Sequence, residues 1–369
     1  MQSREQEKQN VIEWLAHPNE LGCKPQKIEF TKEFTDDEGD LCMIFKYRKT
    51  LFSPWLLAIA CDGGPFSEMQ RYHPETEVAD AKKLIEFLRQ YWKNMANLVE
   101  EKQERAKKAG TFLAFVLLKE LEWNFDVFEE AFGKEWGIVL EKSADGEGAD
   151  DNSGEAEAAG ASVRVYGIKQ GESSLQLAIS YHDFPVPNEE AEENAQFNYM
   201  WKDAVEVTKT HKAHLMVAVL GTGMGTPMEK GILYTKALTT MCRQENTIGV
   251  YANEVVYEPK FYIAASEMLQ SGNLPLLNLV WFGLARSEKG VSAYTCGLQN
   301  FGKDEMEILD SDKQPSELRD FLLNTAGYVI EEDVILHDGE TLGYTNEQRL
   351  KLVKSAGVNV QGESLKILF

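Results

Sequence analysis

FLAFVLLKELEWNFDVFEEAFGKEW, residues 112–136, passes from seven consecutive apolar residues to a segment where apolar and charged residues interleave. The apolar run predicts a strand over Phe112–Leu118, and the interleaving predicts a helix over Phe125–Trp136. Two more strands are expected at about Ser162–Ile168 and Leu175–Tyr181. A helix follows over Glu189–Thr210, with Phe197, Met200, Trp201, Ala204, Val207 and Thr208 on one face. His214–Leu220 is a nearly all-apolar strand. That order, β-α-β-β-α-β, is the ferredoxin-like arrangement.

After a helix at Pro227–Gln244 the order begins again. Ile248–Ala252 reads as a strand and Pro259–Gln270 as a helix with proline in its first turn. Leu277–Ala285 and Val291–Leu298 read as a hairpin around Glu288-Lys289-Gly290. Pro315–Ile330 is a helix, with Leu318, Phe321, Leu322, Thr325 and Val329 inward, and Val334–His337 begins a last strand. Residues 111–369 are thus expected to form a duplicated, tandem ferredoxin-like domain. Such a sheet buries one face under its helices, so the two open faces would cover each other or border a cleft.

Ahead of it, residues 1–108 predict a small α+β domain. A short helix at 4–16 precedes strands at Lys27–Phe34, Leu41–Tyr47 and Trp55–Cys61. Ala81, Leu84, Ile85, Leu88, Trp92, Met95 and Val99 then make a single apolar stripe along a helix over 76–108. Its polar continuation ends at Gly110, a natural boundary. The whole chain is therefore read as α+β.

The 369 residues carry 60 acidic and 38 basic side chains, a formal charge of −22. Residues 1–110 contribute −2 and residues 111–369 contribute −20. A nucleic-acid backbone needs clustered Lys and Arg, so no nucleic-acid partner is expected. No apolar run approaches the roughly 20 residues that span a bilayer, and no leader is evident, so neither a membrane nor export is expected. The five cysteines, Cys23, Cys42, Cys61, Cys242 and Cys296, are widely spaced and lack a C-x-x-C pair. They read as reduced thiols of a cytoplasmic protein. The stretch 141–160 holds seven acids and no aromatic or β-branched residue, and is expected to be a disordered acidic insertion.

Three features compete as sites. Gly221-Thr-Gly-Met-Gly225 lies between a strand and a helix, where phosphate loops occur. Thr226 stands where the dinucleotide fingerprint needs glycine, and the Gly-Lys-Ser/Thr ending is missing. The plain reading of Gly221, Gly223 and Gly225 is a flexible connection. Asn188 followed by Glu189, Glu190, Glu192 and Glu193 reads as an N-cap with acids at the positive end of a helix dipole. So many like charges exceed what a dipole needs, which leaves a protein-binding edge as the sharper reading. The aromatic pairs around Trp201 (Tyr199-Met200-Trp201) and at Trp281-Phe282 read as core unless one faces outward. His211-Lys-Ala-His214 has ligand spacing only on a helix and a strand begins there, so no metal is expected. No catalytic constellation stands out, and no cofactor is expected.

Several stretches carry a resemblance: PVPNEEAEENAQFNYMWKDAVEVTKTHKAHLMVAVLG, IGVYANEVVYEPKFY, LPLLNLVWFGL, YTCGLQNFGKDEMEILDS and DGETLGY. They resemble the bacterial family filed as domain of unknown function 4261, over about residues 112–345. The front segment is similar to an N-terminal extension of longer relatives. The resemblance implies a bacterial origin and a domain boundary, and it carries no activity. The expected function is a non-enzymatic binding, adaptor or immunity-like module whose acidic surface meets a basic or amphipathic protein. The alternative is an enzyme or small-ligand sensor with a cleft between the halves, and self-association is a third reading.

Overall fold

A computed structural model describes residues 4–17, 24–61, 64–142, 162–170, 173–221, 225–345 and 348–369. Cys23, Asp62, Gly63, Gly223 and residues 143–160 of the acidic stretch lie outside the described residues. The chain separates into two compact units, Met1–Gln103 and Glu104–Phe369.

In the first unit, helix α1 (Arg4–Ala16) precedes strands β1 (Lys27–Thr35), β2 (Leu41–Arg48), β3 (Leu56–Cys61) and β4 (Gly64–Phe66). They form an antiparallel sheet in sequence order. Alternation along β2 and β3 gives the sheet two apolar faces. Phe45, Tyr47 and Ala58 pack on Val11 and Leu15 of α1. Cys42, Ile44, Leu57 and Ile59 pack on helix α2 (Glu77–Lys108) through Ala81, Leu84, Ile85 and Leu88. The expected single stripe of α2 divides here. Its first three turns are buried, whereas Trp92, Met95 and Val99 remain 53%, 38% and 50% exposed. At 1.5 Å per residue the 32-residue helix is about 48 Å long, while a nine-residue strand spans only about 30 Å.

The second unit starts with β5 (Phe112–Leu118), α3 (Phe125–Trp136), β6 (Glu141–Lys142), β7 (Ser162–Gln170) and β8 (Ser173–His182). Helices α4 (Glu190–Ala195) and α5 (Ala204–Thr208) lead to β9 (Ala213–Gly221) and α6 (Pro227–Cys242). Strands β10 (Thr247–Ala252) and β11 (Val255–Tyr257) follow, then α7 (Pro259–Ser266) and α8 (Leu276–Leu279). These strands make one seven-stranded sheet in the order β11-β10-β5-β9-β8-β7-β6, antiparallel throughout. A ferredoxin-like unit would place β5 between β8 and β9. Here β8 and β9 pair directly, and β10, expected to open a second repeat, pairs with β5.

The expected 189–210 crossover helix is replaced by two short ones. Asn198, 6% exposed, is the cause: its Oδ1 accepts from the amides of Met200 and Trp201 at 3.0 and 3.1 Å, and its Nδ2 donates to the Val256 carbonyl at 2.9 Å. An Asx turn of this kind competes with helix continuation. The chain therefore turns back and delivers β9 beside β8.

The remaining strands form a six-stranded sheet: β12 (Trp281–Arg286), β13 (Val291–Cys296), β14 (Glu305–Ser311), β15 (Thr341–Gly343), β16 (Arg349–Ala356) and β17 (Glu363–Ile367), with α9 (Pro315–Glu331) before β15. Its order is β12-β13-β14-β17-β16-β15, with β14 and β17 parallel. The expected strand at Val334–His337 is absent, and β14 through β17 were not anticipated. The duplicated ferredoxin-like arrangement is not what these pairings give; an α+β protein with an N-terminal antiparallel sheet is.

A continuous core joins both sheets of the second unit. It includes Val116, Leu177 and Val217 below α3 and α6, and Ala293 and Ile308 below Leu318, Leu322 and Ala326 of α9. On the opposite face of the seven-stranded sheet, α4 and α5 cover Leu117, Tyr251 and Val256. Leu113, Met216 and Leu220 on that face stay 43%, 38% and 46% exposed.

One close approach is diagnostic. Gly283 in β12 lies opposite Tyr294 in β13, and a Cβ at 283 would stand 2.1 Å from the ring. Gly283→Ala is expected to destabilise the second unit by about 1–3 kcal/mol, as overpacking does. Urea denaturation measures it; a loss under about 0.5 kcal/mol would mean that the ring swings aside freely.

Candidate ligand cavity

The acid cluster does not converge on a site. Asn188 and Glu189 adopt left-handed φ values of 59° and 57°, and neither side chain caps a helix. Asn188 is thus no N-cap. Glu190 Oε1 accepts from the Tyr251 hydroxyl at 2.7 Å, and Asn194 Nδ2 donates to the Glu190 carbonyl at 2.8 Å. Burial, then the Glu190 carboxylate, push the Tyr251 phenol well up. Glu192 Oε1 stands 3.6 Å from Nδ1 of buried His211. His211 Nε2 accepts from the Val186 amide at 2.8 Å, so Nδ1 carries the proton and donates to the Thr208 carbonyl at 2.6 Å. Glu189 and Glu193 are exposed. Trp201 packs with Val186, Ala191 and Tyr251 beneath α4 and α5.

The glycine run serves the backbone. Gly221 ends β9 opposite Leu175. Gly225 has φ 108°, and a Cβ there would meet Leu175 at 2.6 Å, so only glycine fits. Thr226 then caps α6: its hydroxyl accepts from the Glu229 amide at 3.2 Å, and Glu229 Oε2 accepts from the Thr226 amide at 2.7 Å. The anion at this helix start is the chain's own Glu229. Among the described residues, no group of three or more His, Cys, Asp and Glu is placed to hold a metal ion. Cys42, Cys242 and Cys296 are buried free thiols, and Cys61 is partly buried.

What the fold does bring together is Tyr199 and Met200 of the first aromatic group with Trp281 and Phe282; Trp201, around which that group was read, packs elsewhere. A cavity of about 340 Å³ is walled by Tyr199 and Met200, which follow α4, and by Val280, Trp281 and Phe282 at the start of β12. Phe261 of α7, Leu277 of α8 and Leu323 of α9 complete the apolar wall, and Arg319 and Asp320 are its charged residues. The Tyr199 ring lies 5.2 Å from Trp281, and its hydroxyl donates to the Phe282 carbonyl at 3.0 Å. Tyr257 backs Trp281 edge-on at 5.8 Å.

Two features make this more than a packing gap. Trp281 is 2% exposed, yet its Nε1 has no hydrogen-bond partner among the described residues. An unpaired buried donor costs about 1–3 kcal/mol. Arg319 donates through Nε and Nη2 to Asp320 Oδ1 at 3.1 and 2.8 Å, and that bond raises the guanidinium further. Burial raises the Tyr199 phenol while Arg319 opposes it. The aromatic pairs are visible in sequence. Arg319 and Leu323 are not, because they lie off the inward stripe of α9 formed by Leu318, Leu322 and Thr325; their i, i+4 spacing is the available signal.

No helix of the described residues is long and apolar enough to cross a membrane. No curated protein and no solved structure matched the chain in comparison. Of the stretches that carried the resemblance, Tyr294–Ser311 and Asp338–Tyr344 fall inside the matched region, and the others precede it. Residues 294–368, from the end of β13 to β17, match the family model described as a domain of unknown function (DUF4261), so this part of the chain carries a domain of that family.

Proposed function

We propose that the second unit binds a compact aromatic or otherwise apolar small molecule in the cavity between the β12 end of its six-stranded sheet and the turn at Tyr199-Met200. The reading rests on one observation: a cavity of about 340 Å³ with aromatic walls and one ion pair at its lining. Small-molecule sites are typically about 300–1,000 Å³, mostly apolar, with a few polar groups that fix orientation. The ligand would offer an acceptor to the Trp281 indole and a polar or anionic end to Arg319. The acidic surface supplies charge without a shape, and at 189–193 Glu190 is already tied to the Tyr251 hydroxyl in the fold.

The test is a thermal-shift series with aryl carboxylates, aryl amides and uncharged aromatics. A ligand at 100 times its Kd adds about 2.7 kcal/mol, or roughly 5–10 °C for a unit of this size. Leu323→Trp, which fills the cavity, is expected to abolish the shift. If no class stabilises the wild type, or if folded Leu323→Trp keeps the full shift, the cavity is not a binding site.

A further inference from the structure

The apolar stripe of α2 continues for three turns past its sheet cover, and those turns carry the residue types that interfaces favour. Tyr91 and Trp92 are 49% and 53% exposed, Met95 and Val99 prolong the same face, and Phe87, 49% exposed and stacked at 6.0 Å on Phe66 of β4, flanks them. We propose that this stripe is the contact with a second copy of the chain, two α2 helices crossing stripe to stripe about a two-fold axis.

Charge selects a copy of the same chain. A protein with net charge −22 repels itself over most of its surface, but residues 87–99, FLRQYWKNMANLV, hold no acid and two bases. One of those, Arg89, is already committed: it pairs with Asp36 and Asp40 at 2.6 Å and with Glu38 at 3.2 Å. The other polar positions are amides, and Gln90 and Asn94 bond to each other at 2.7 Å. These amides lie on the far side of the helix from the stripe, so the stripe itself presents neither an acid nor an unpaired polar chain.

Area agrees. An aromatic side chain offers about 150–250 Å², so three half-exposed rings with Met95 and Val99 give about 400–500 Å² per copy. Two copies with their flanks then bury about 1,000 Å², the lower bound for a specific interface. The contact spans about 18 Å of helix, and a steep crossing keeps each copy's sheet, which covers the preceding turns, clear of the other helix.

Light scattering after size exclusion tests this on the full chain. At a loading of about 100 µM, where a micromolar dimer is fully formed, the wild type is expected at twice 41.7 kDa. Trp92→Glu and Val99→Glu, both at exposed positions, are expected to elute at the single-chain mass with unchanged circular dichroism. Met216→Glu, on the open sheet face, is expected to remain dimeric. A monomeric wild type at this loading overturns the proposal. So does a dimer that survives both α2 variants or dissociates with Met216→Glu.

Discussion

Glu307→Ala is expected to cost about 3–5 kcal/mol of stability, the range for removing one partner of a buried ion pair. Glu307 in β14 is completely buried and lies 2.8 Å from Lys366 Nζ of β17, itself 7% exposed. Its Oε1 accepts from the backbone and side-chain amides of Asn359 at 2.6 and 3.0 Å, and its Oε2 accepts from the Val358 amide at 3.1 Å and the Ser364 hydroxyl at 2.6 Å. Burial pushes the carboxyl up, but Lys366, Ser364 and these amides outweigh it and hold it below the usual range. Alanine would strip the 358–359 turn of its acceptor and leave the Lys366 ammonium buried with neutral partners only. Urea denaturation of the second unit gives the value; a loss below about 1 kcal/mol would show that water enters and re-solvates the site. Replacing both Glu307 and Lys366 by apolar residues of similar volume is expected to recover only the part due to the stranded ammonium, because the Val358 and Asn359 amides still lack their acceptor.

Glu305, two residues earlier on the same strand, behaves oppositely. It is 3% exposed, accepts from the Thr295 hydroxyl at 2.6 Å and from the amides of Gly297 and Gln299 at 2.8 and 3.2 Å, and has no basic partner among the bonds that hold it. Burial dominates and raises its carboxyl to about 7. The folded state therefore keeps a proton that the unfolded chain releases near the ordinary carboxyl value. Stability from this group is complete below about pH 4.5 and is lost as pH rises to about 7, by roughly 3 kcal/mol at most. Glu305→Gln, which keeps the acceptor for both amides and mimics the protonated acid, should flatten that window and leave the variant more stable than wild type at pH 8. Melting curves from pH 4 to 8 decide it; parallel profiles for the two proteins would mean that Glu305 stays ionised in the fold.

These two carboxylates also explain which parts of the architecture could be read in advance. Phe112–Leu118, Phe125–Trp136 and strands β2 and β3 of the first unit were legible because hydropathy and burial coincide along them. Strand β14, EMEILDS, alternates acids with apolar residues and so reads as a half-solvated segment. Its first four residues are nevertheless buried, because backbone amides, hydroxyls and Lys366 satisfy the acids. Pairing was the other blind spot. Nothing local in Thr247–Ala252 says that it joins β5 instead of opening a new sheet; that edge of β5 is open because β8 pairs with β9 and not with β5. The cavity is only partly legible: the aromatic groups at 199–201 and 281–282 stand out, but Trp201 lies outside it, and nothing local says that Tyr199 reaches Trp281 and Phe282.

Strand β17 occupies an interior place between β14 and β16, although some fifty residues of chain, including α9, separate it from the β14 edge it completes. During synthesis the β12–β14 meander would emerge with an unfilled edge and wait for residues 363–367 to leave the ribosome. Until then Glu307 has neither its ammonium nor its Ser364 hydroxyl, and β14 presents an open backbone to any passing strand. The nascent chain is thus most exposed to misassociation in the interval between the emergence of β14 and that of β17, where a holding chaperone would have the greatest effect on yield.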